Sequence, residues 1–300
     1  MSPMATVYDN AADLPADFLS GCRKMDLPKS VLMCPPDHFA IVDVKNPHME
    51  GNIGAVDKPK SDEQWDMVNA AFVSSGAAVQ LIQPLPDCED MVFCANQTFV
   101  GPMPDNTKLC LLSNMKHPSR QREVPAFEKW FAEQGYRIES MTEGVGFEGS
   151  GDAIWHPGRR LIWGGYGHRT DAAAYDRVAQ LFDAPVLRLK LLSEHFYHLD
   201  TCLCAIDERT ALVHAAALAP ESLELVKAVF ADVVEVPDDE ALNGMACNAC
   251  AILGKSVVIQ AGNKQTVAAL RKRGFDVQEV DTSEFMKSGG SVFCMKMYVF

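Results

Sequence analysis

The phrases EQGYRIESM at 133–141 and KRGFDVQEVD at 272–281 decide the fold. Each closes a stretch of helical spacing, 124–134 and 263–273, and each then runs glycine, aromatic residue, alternating strand. Glycine ends a helix readily because it lacks the Cβ that penalises left-handed backbone, and alternation after it marks a half-buried strand. Residues 77–83 after Gly76 form a third, drifted copy. The reading is an α/β array of related units. Any α/β protein, however, ends helices with glycine ahead of a strand, and the pattern alone leaves both readings open.

Around these phrases, β-rich runs recur at 30–34, 77–82, 91–96, 108–113, 153–166, 186–192, 202–206, 211–218, 256–260 and 291–299. Helical spacing appears at 61–75, with Ser61 as N-cap, and at 124–134, 172–182, 220–230 and 263–273, each ahead of a strand. No Pro/Ser-rich linker divides the chain, so residues 1–300 read as a single domain, with 1–29 a peripheral N-terminal extension.

The composition fits this: 300 residues, 48% hydrophobic and 22% charged, exclude disordered and collagen-like classes. No run of eighteen apolar residues occurs, and the acidic start MSPMATVYDNAADLP lacks the basic patch and apolar stretch of a signal peptide, so a cytoplasmic protein is expected. A formal charge of −13, from 27 basic and 40 acidic residues, disfavours nucleic acid and anionic membranes as partners and is compatible with a cationic substrate. The ten cysteines are too scattered for a disulfide framework and should be reduced and buried. Cys247 and Cys250 have zinc-like spacing, but no second pair or histidine lies nearby. FEGSGD at 147–152 and GGYGHRT at 164–170 lack the remaining residues of a nucleotide loop. No cofactor and no metal are expected.

Several residues could carry chemistry. Cys294 follows the turn SGGS at 288–291, where backbone N–H groups can approach a ligand and lower a thiol's pKa; taken alone, between Phe293 and Met295, it reads as a core cysteine, and as a nucleophile it needs a base. His198 and Asp200 in FYHLDTCLCAI at 196–206 would share a face of an extended segment, either as an acid/base pair aimed at a pocket or as a strand-end histidine bonded to an aspartate. Metal binding by His195, His198 and Asp200 would split the ligands between two faces. Glu148 and Asp152 sit in a glycine-rich acidic turn suited to a guanidinium, or simply in an ordinary β-turn. Arg120 and Arg169 are suited to clamp a carboxylate and read equally as solvated turn residues. Nucleophile, base, acids and arginines together describe a site for a small zwitterion with a guanidinium at one end.

At these residues the sequence resembles the guanidino-group-modifying superfamily, the penteins, which includes arginine deiminases, dimethylarginine dimethylaminohydrolases, amidinotransferases and arginine dihydrolases. The matching phrases are LMCPPDHF at 32–39, NPHMEGN at 46–52, FCANQTFV at 93–100, HPSRQRE at 117–123, FEGSGD at 147–152, GYGHRTD at 165–171, FYHLDTCLCAID at 196–207 and SGGSVFCM at 288–295.

The resemblance implies a five-bladed α/β propeller, with Cys294 as nucleophile, His198 as acid and base, Glu148 and Asp200 as guanidinium-binding acids, Arg120 and Arg169 on the substrate carboxylate, and Asp152 as a structural second acid. Where deiminases and dimethylaminohydrolases carry an aspartate, this chain has Asn96, which both donates and accepts. With Asn46 in NPHM, this is similar to the dihydrolase branch, which takes arginine to ornithine with release of ammonia and carbon dioxide. Hydrolysis stopping at citrulline, amidino transfer, and a non-catalytic pentein binding protein are the alternatives. The expected partner is a small guanidino compound, and homo-oligomers are compatible with the sequence.

Overall fold

A computed structural model describes residues 5–300 of the protein. In it the helix–glycine–strand phrase recurs as a building unit. Helices Lys58–Ser74, Val124–Glu133 and Lys264–Lys272 end before Gly76, Gly135 and Gly274, whose φ values are +93°, +78° and +88°. The strands that follow are Ala78–Leu81, Arg137–Ser140 and Asp276–Val280. Each lies parallel to the strand preceding its helix, Ser30–Met33, Lys108–Leu112 and Ser256–Gln260 respectively. Parallel pairing demands such a crossover, and a helix supplies it.

Two further units have the same plan but different punctuation. Helix Ala174–Phe182 joins Ile162–Tyr166 to Val186–Lys190 and ends at Asp183, which takes the left-handed position at φ +44°. Helix Pro220–Val229 joins Thr210–Val213 to Asp232–Glu235 and ends at Phe230 in extended backbone. That is why the glycine signature exposed three copies and missed two.

In every unit the middle strand also pairs antiparallel with a third strand, giving five separate sheets among the described residues. In chain order these third strands are Thr98–Pro102, Ala153–Trp155, Leu203–Ala205 and Cys250–Ile252. The remaining one is Met297–Val299, which returns from the far end of the chain to pair with Ser30–Met33. Middle strands such as Ser256–Gln260 and Thr210–Val213 are buried throughout. They therefore read as continuous apolar runs and not as alternation. Val7–Tyr8 adds a parallel edge strand against Val186 and Leu187, and Phe18 and Cys22 pack into the apolar core beyond it. No helix among the described residues is long and apolar enough to cross a membrane.

Several sequence expectations change. Residues 91–96 form no strand; Met91, Phe93 and Cys94 donate to Cys88, Asp90 and Val92 carbonyls in tight turns, which satisfies buried backbone locally. Only Met297–Val299 of 291–299 is a strand, so Cys294 sits on the turn before it, where Met295 donates to Ser291 and Lys296 to Phe293. His198 and Asp200 are not on an extended segment: Leu199–Thr201 is a 3-10 turn with His198 as its N-cap. The strand expected at 211–218 stops at Val213 and gives way to the 3-10 turn Ala215–Ala217. The helix expected to open at Ser61 begins at Lys58, because Asp57 accepts from Lys60 N and caps it.

Candidate functional site

The SGGS turn ahead of Cys294 requires glycine. A Cβ on Gly290 would overlap the Phe93 ring, and Gly289, at φ +83°, leaves room only for Asn46 and the Tyr197 hydroxyl. Asn248 ties this turn in place. Its Oδ1 accepts from Ser291 N at 2.9 Å and Cys294 N at 3.3 Å, and its Nδ2 donates to the Asp200 carbonyl at 3.0 Å and to Cys294 Sγ at 3.2 Å.

Cys294 Sγ in turn donates to Asp200 Oδ2 at 3.1 Å. Burial pushes the Asp200 carboxyl up to about 7, against the pull of Cys294 and Lys296, and burial beside Asp200 pushes the thiol well above its ordinary value. The resting pair is therefore a thiol donating to a carboxyl in a dry environment.

His198 faces the same point. Its Nε2 lies 2.7 Å from Glu148 Oε2, and its Nδ1 lies 3.4 Å from Asn96 Nδ2. With Nε2–H donating to Glu148, Nδ1 is left as an acceptor toward Asn96 and the cavity. Glu148 is wholly buried. Burial alone would raise its carboxyl, but the His198 hydrogen bond and the Arg169 guanidinium 3.2 Å away outweigh it and hold the carboxyl well below the ordinary range.

Glu148 Oε1 also accepts from Lys116 N at 3.0 Å. Both of its oxygens are thus engaged, which places it behind His198 and corrects the expectation that it grips a guanidinium itself. Asp152, pushed up to about 7 by burial, accepts from Leu199 N and Thr170 Oγ1 and pins the 3-10 turn that carries Asp200.

The two arginines are buried, not solvated turn residues. Arg120 Nε reaches both Glu123 oxygens at 3.0 Å, and its terminal nitrogens donate to Asn96 Oδ1 at 3.3 Å and the Phe93 carbonyl at 3.0 Å. Burial pushes Glu123 up to about 7 despite this contact. Arg169 donates to Glu148 and to the Lys45 carbonyl at 2.8 Å, and its guanidinium stacks 4.8 Å over the Tyr197 ring. Asn46 caps a 3-10 turn through His48 N and donates to the Ser288 carbonyl at 3.0 Å.

Of the eight site residues singled out in the sequence, Asn46, Asn96, Arg120, Arg169, His198 and Cys294 line one small cavity, and Asp200 reaches its edge through the Cys294 thiol while Glu148 does so through His198. Asp90, paired with Lys45 at 3.1 Å, lines it as well, as does Phe93. A second cavity, walled by Leu27, Ile154, Cys204, Phe293 and Tyr298, is mostly apolar, so the convergence of charged groups favours the first. Sequence reading missed Asn248 and Asp90. The one sits inside the CNAC phrase weighed only as a zinc motif, and the other in an acidic loop without a motif. All ten cysteines are free and buried, and no group of three His, Cys, Asp or Glu among the described residues could hold a metal.

The chain is similar to known proteins in both sequence and fold. A family profile described as N,N dimethylarginine dimethylhydrolase, eukaryotic, matches residues 49–300. The bifunctional arginine dihydrolase/ornithine cyclodeaminase AgrE of Nostoc is 36% identical over 89% of this chain, and ArgZ of Synechocystis 33% over 90%. The chain spans 37% of the length of each of these two relatives. The dimethylarginine dimethylaminohydrolase of Mycobacterium tuberculosis is 31% identical over 93% of this chain and 89% of its own. The product-bound N-terminal domain of ArgZ superposes with a TM-score of 0.85 at 32% identity, over 90% of this chain and 97% of that one. The chain therefore belongs to the N,N dimethylarginine dimethylhydrolase family, and with it to the guanidino-group-modifying enzymes whose motifs it carries.

Proposed function

We propose that the protein is a cysteine hydrolase that converts arginine to ornithine, two ammonia molecules and carbon dioxide. The observation that carries the reading is the 3.1 Å contact between Cys294 Sγ and Asp200 Oδ2, at the floor of a cavity that His198 and both asparagines line. The substrate carboxylate would lie against Arg120 and Arg169, and its ammonium against Asp90. The guanidinium would meet Asp200, whose ionisation in the substrate's field leaves the thiol free to lose its proton.

Cys294 passes its proton to His198 Nδ1 as sulfur attacks the guanidinium carbon and a C–S bond forms, and the C–N bond to the leaving nitrogen breaks as His198 hands that proton on to it. His198 then takes a proton from water as its oxygen displaces sulfur, giving citrulline. In the second round Asn96 and Asn46 donate to the urea oxygen, Cys294 attacks again, a second ammonia leaves, and water releases a carbamate that breaks down to ornithine and carbon dioxide. Glu148 holds His198 in the tautomer and orientation both rounds need.

The structures of the relatives support this reading. The ArgZ N-terminal domain has been captured with substrate in a cysteine-to-serine variant, and covalently bound to a reaction intermediate in an asparagine-to-serine variant. Dimethylarginine hydrolysis to citrulline is the second reading, favoured by the family profile itself. Mass spectrometry of products decides: arginine giving ornithine with two ammonia equivalents supports the dihydrolase, and citrulline accumulating without ornithine overturns it.

We further infer that the five sheets are the blades of one propeller around an axis at Cys294. Residues 1–300 would form a single catalytic domain working in the cytoplasm on a small guanidino compound, with no nucleic acid or membrane as partner.

A further inference from the structure

Lys296 is wholly excluded from solvent. It extends from the turn that carries Cys294, and its Nζ lies 3.1 Å from the centroid of the Phe293 ring and 3.8 Å from that of Tyr298. Among the described residues Nζ has no hydrogen-bond partner. Asp200 Oδ1 is likewise buried without one, while Oδ2 receives the Cys294 thiol.

Lysine is seldom buried, because an ammonium taken out of water loses its hydration; the negative faces of two rings recover part of that loss. A methionine would fill the same slot at no such cost. Burial lowers the Lys296 ammonium from its ordinary value, and the electrostatic pull of Cys250, Asp200, Cys204 and Cys294 acts against that burial, as does the Tyr298 ring that Nζ covers. Lys296 in return favours ionised Asp200.

We propose that Lys296 is a positioning residue of the site: its buried amine end, beside the turn of Cys294, favours the ionisation of the Asp200–Cys294 pair that accompanies arrival of the guanidinium. The proposal rests on the hydrolase reading above. It separates two roles for one side chain. A lysine that merely fills space is replaceable by an apolar chain of equal length, whereas one that sets charge is not.

The test compares wild-type protein with Lys296→Met and Lys296→Gln, neither of which can carry charge. Two profiles are measured against pH: kcat/KM for arginine, and the rate at which Cys294 is alkylated by 2-chloroacetamidine and by the uncharged reagent iodoacetamide. Removing the cation makes Asp200 and Cys294 harder to ionise. The acid limb of both profiles should therefore move up by about one pH unit, a tenfold lower labelling rate on that limb, with the circular dichroism spectrum unchanged. The glutamine variant carries the test should the methionine variant misfold. Acid limbs that coincide with wild type overturn the role of Lys296 and leave the hydrolase reading standing. Wild-type protein that neither turns over guanidino compounds nor labels at Cys294 overturns both.

Discussion

Glu148 Oε2 and His198 Nε2 lie 2.7 Å apart with both side chains shut away from solvent. A charge-assisted bond of this length in a dry setting fixes which ring nitrogen carries the proton and where the ring points. Glu148→Gln keeps the shape and removes the charge. We expect kcat to fall by on the order of 10²–10³, as for a misoriented general acid–base, with KM for arginine little changed.

The same carboxylate links stability to pH. Its folded pKa is depressed below the ordinary 4.5, so its contribution is full above that value and is lost as pH falls through and below it. Wild-type and Glu148→Gln protein should therefore differ in thermal midpoint at neutral pH and converge as pH falls below about 4. Curves that stay parallel from pH 7 to pH 3 would contradict an ionised Glu148.

Cys294→Ser should lose turnover by a factor on the order of 10⁴ or more while keeping the thermal midpoint. A serine variant that still releases ammonia from arginine would remove the covalent scheme. The variant should retain arginine, which calorimetry can detect.

Asn96→Asp separates the two halves of the reaction. The carboxylate can still accept from Arg120 in place of Asn96 Oδ1, but the donor that faces His198 and the cavity is gone. The first hydrolysis should survive and the second stall, which chromatography reads as a rise in the ratio of citrulline to ornithine. Ornithine formed at the wild-type rate sinks the role assigned to this amide.

Asn248 offers a sharper test of the turn. Asn248→Ala releases two backbone N–H groups and the thiol contact together. A loss of about 10²-fold in kcat with modest destabilisation of about 1–3 kcal/mol is expected. Asn248→Asp keeps the acceptor for both N–H groups but loses the donor to Sγ and to the Asp200 carbonyl and buries a further carboxylate, so Cys294 labelling should stay slow and stability should not recover.

How much of this was legible in the chain depends on where the physics resides. Cys294, His198, Asn96, Arg120 and Arg169 sit in phrases with strong local character, and the structure gathers all five around one cavity. The role of Glu148 was misplaced, because nothing in FEGSGD says that Arg169 and Lys116 will take up its oxygens. Asn248 was invisible for a related reason: its four contacts reach Asp200, Ser291 and Cys294, all more than forty residues away. The fold showed the same division. Middle strands announced themselves as apolar runs, whereas Thr98–Pro102, Asp232–Glu235 and Cys250–Ile252 owe their pairing to neighbours. Residues 91–96 look like a strand and are not one, since the Met91, Phe93 and Cys94 amides close local turns and that of Ala95 donates to the Cys294 carbonyl.

The pairing of Met297–Val299 with Ser30–Met33 bears on when the site is assembled. The first sheet lacks a strand until the last one has been made, and Cys294 lies three residues before that strand. A contact spanning so much of the chain forms late, after loop entropy across the intervening four units has been overcome. A ribosome-bound chain can therefore hold His198, Glu148 and both arginines and still have no nucleophile in register. On the proposed hydrolase reading turnover waits for Met297–Val299 to pair with Ser30–Met33, so the first turnover is itself a clock for that contact.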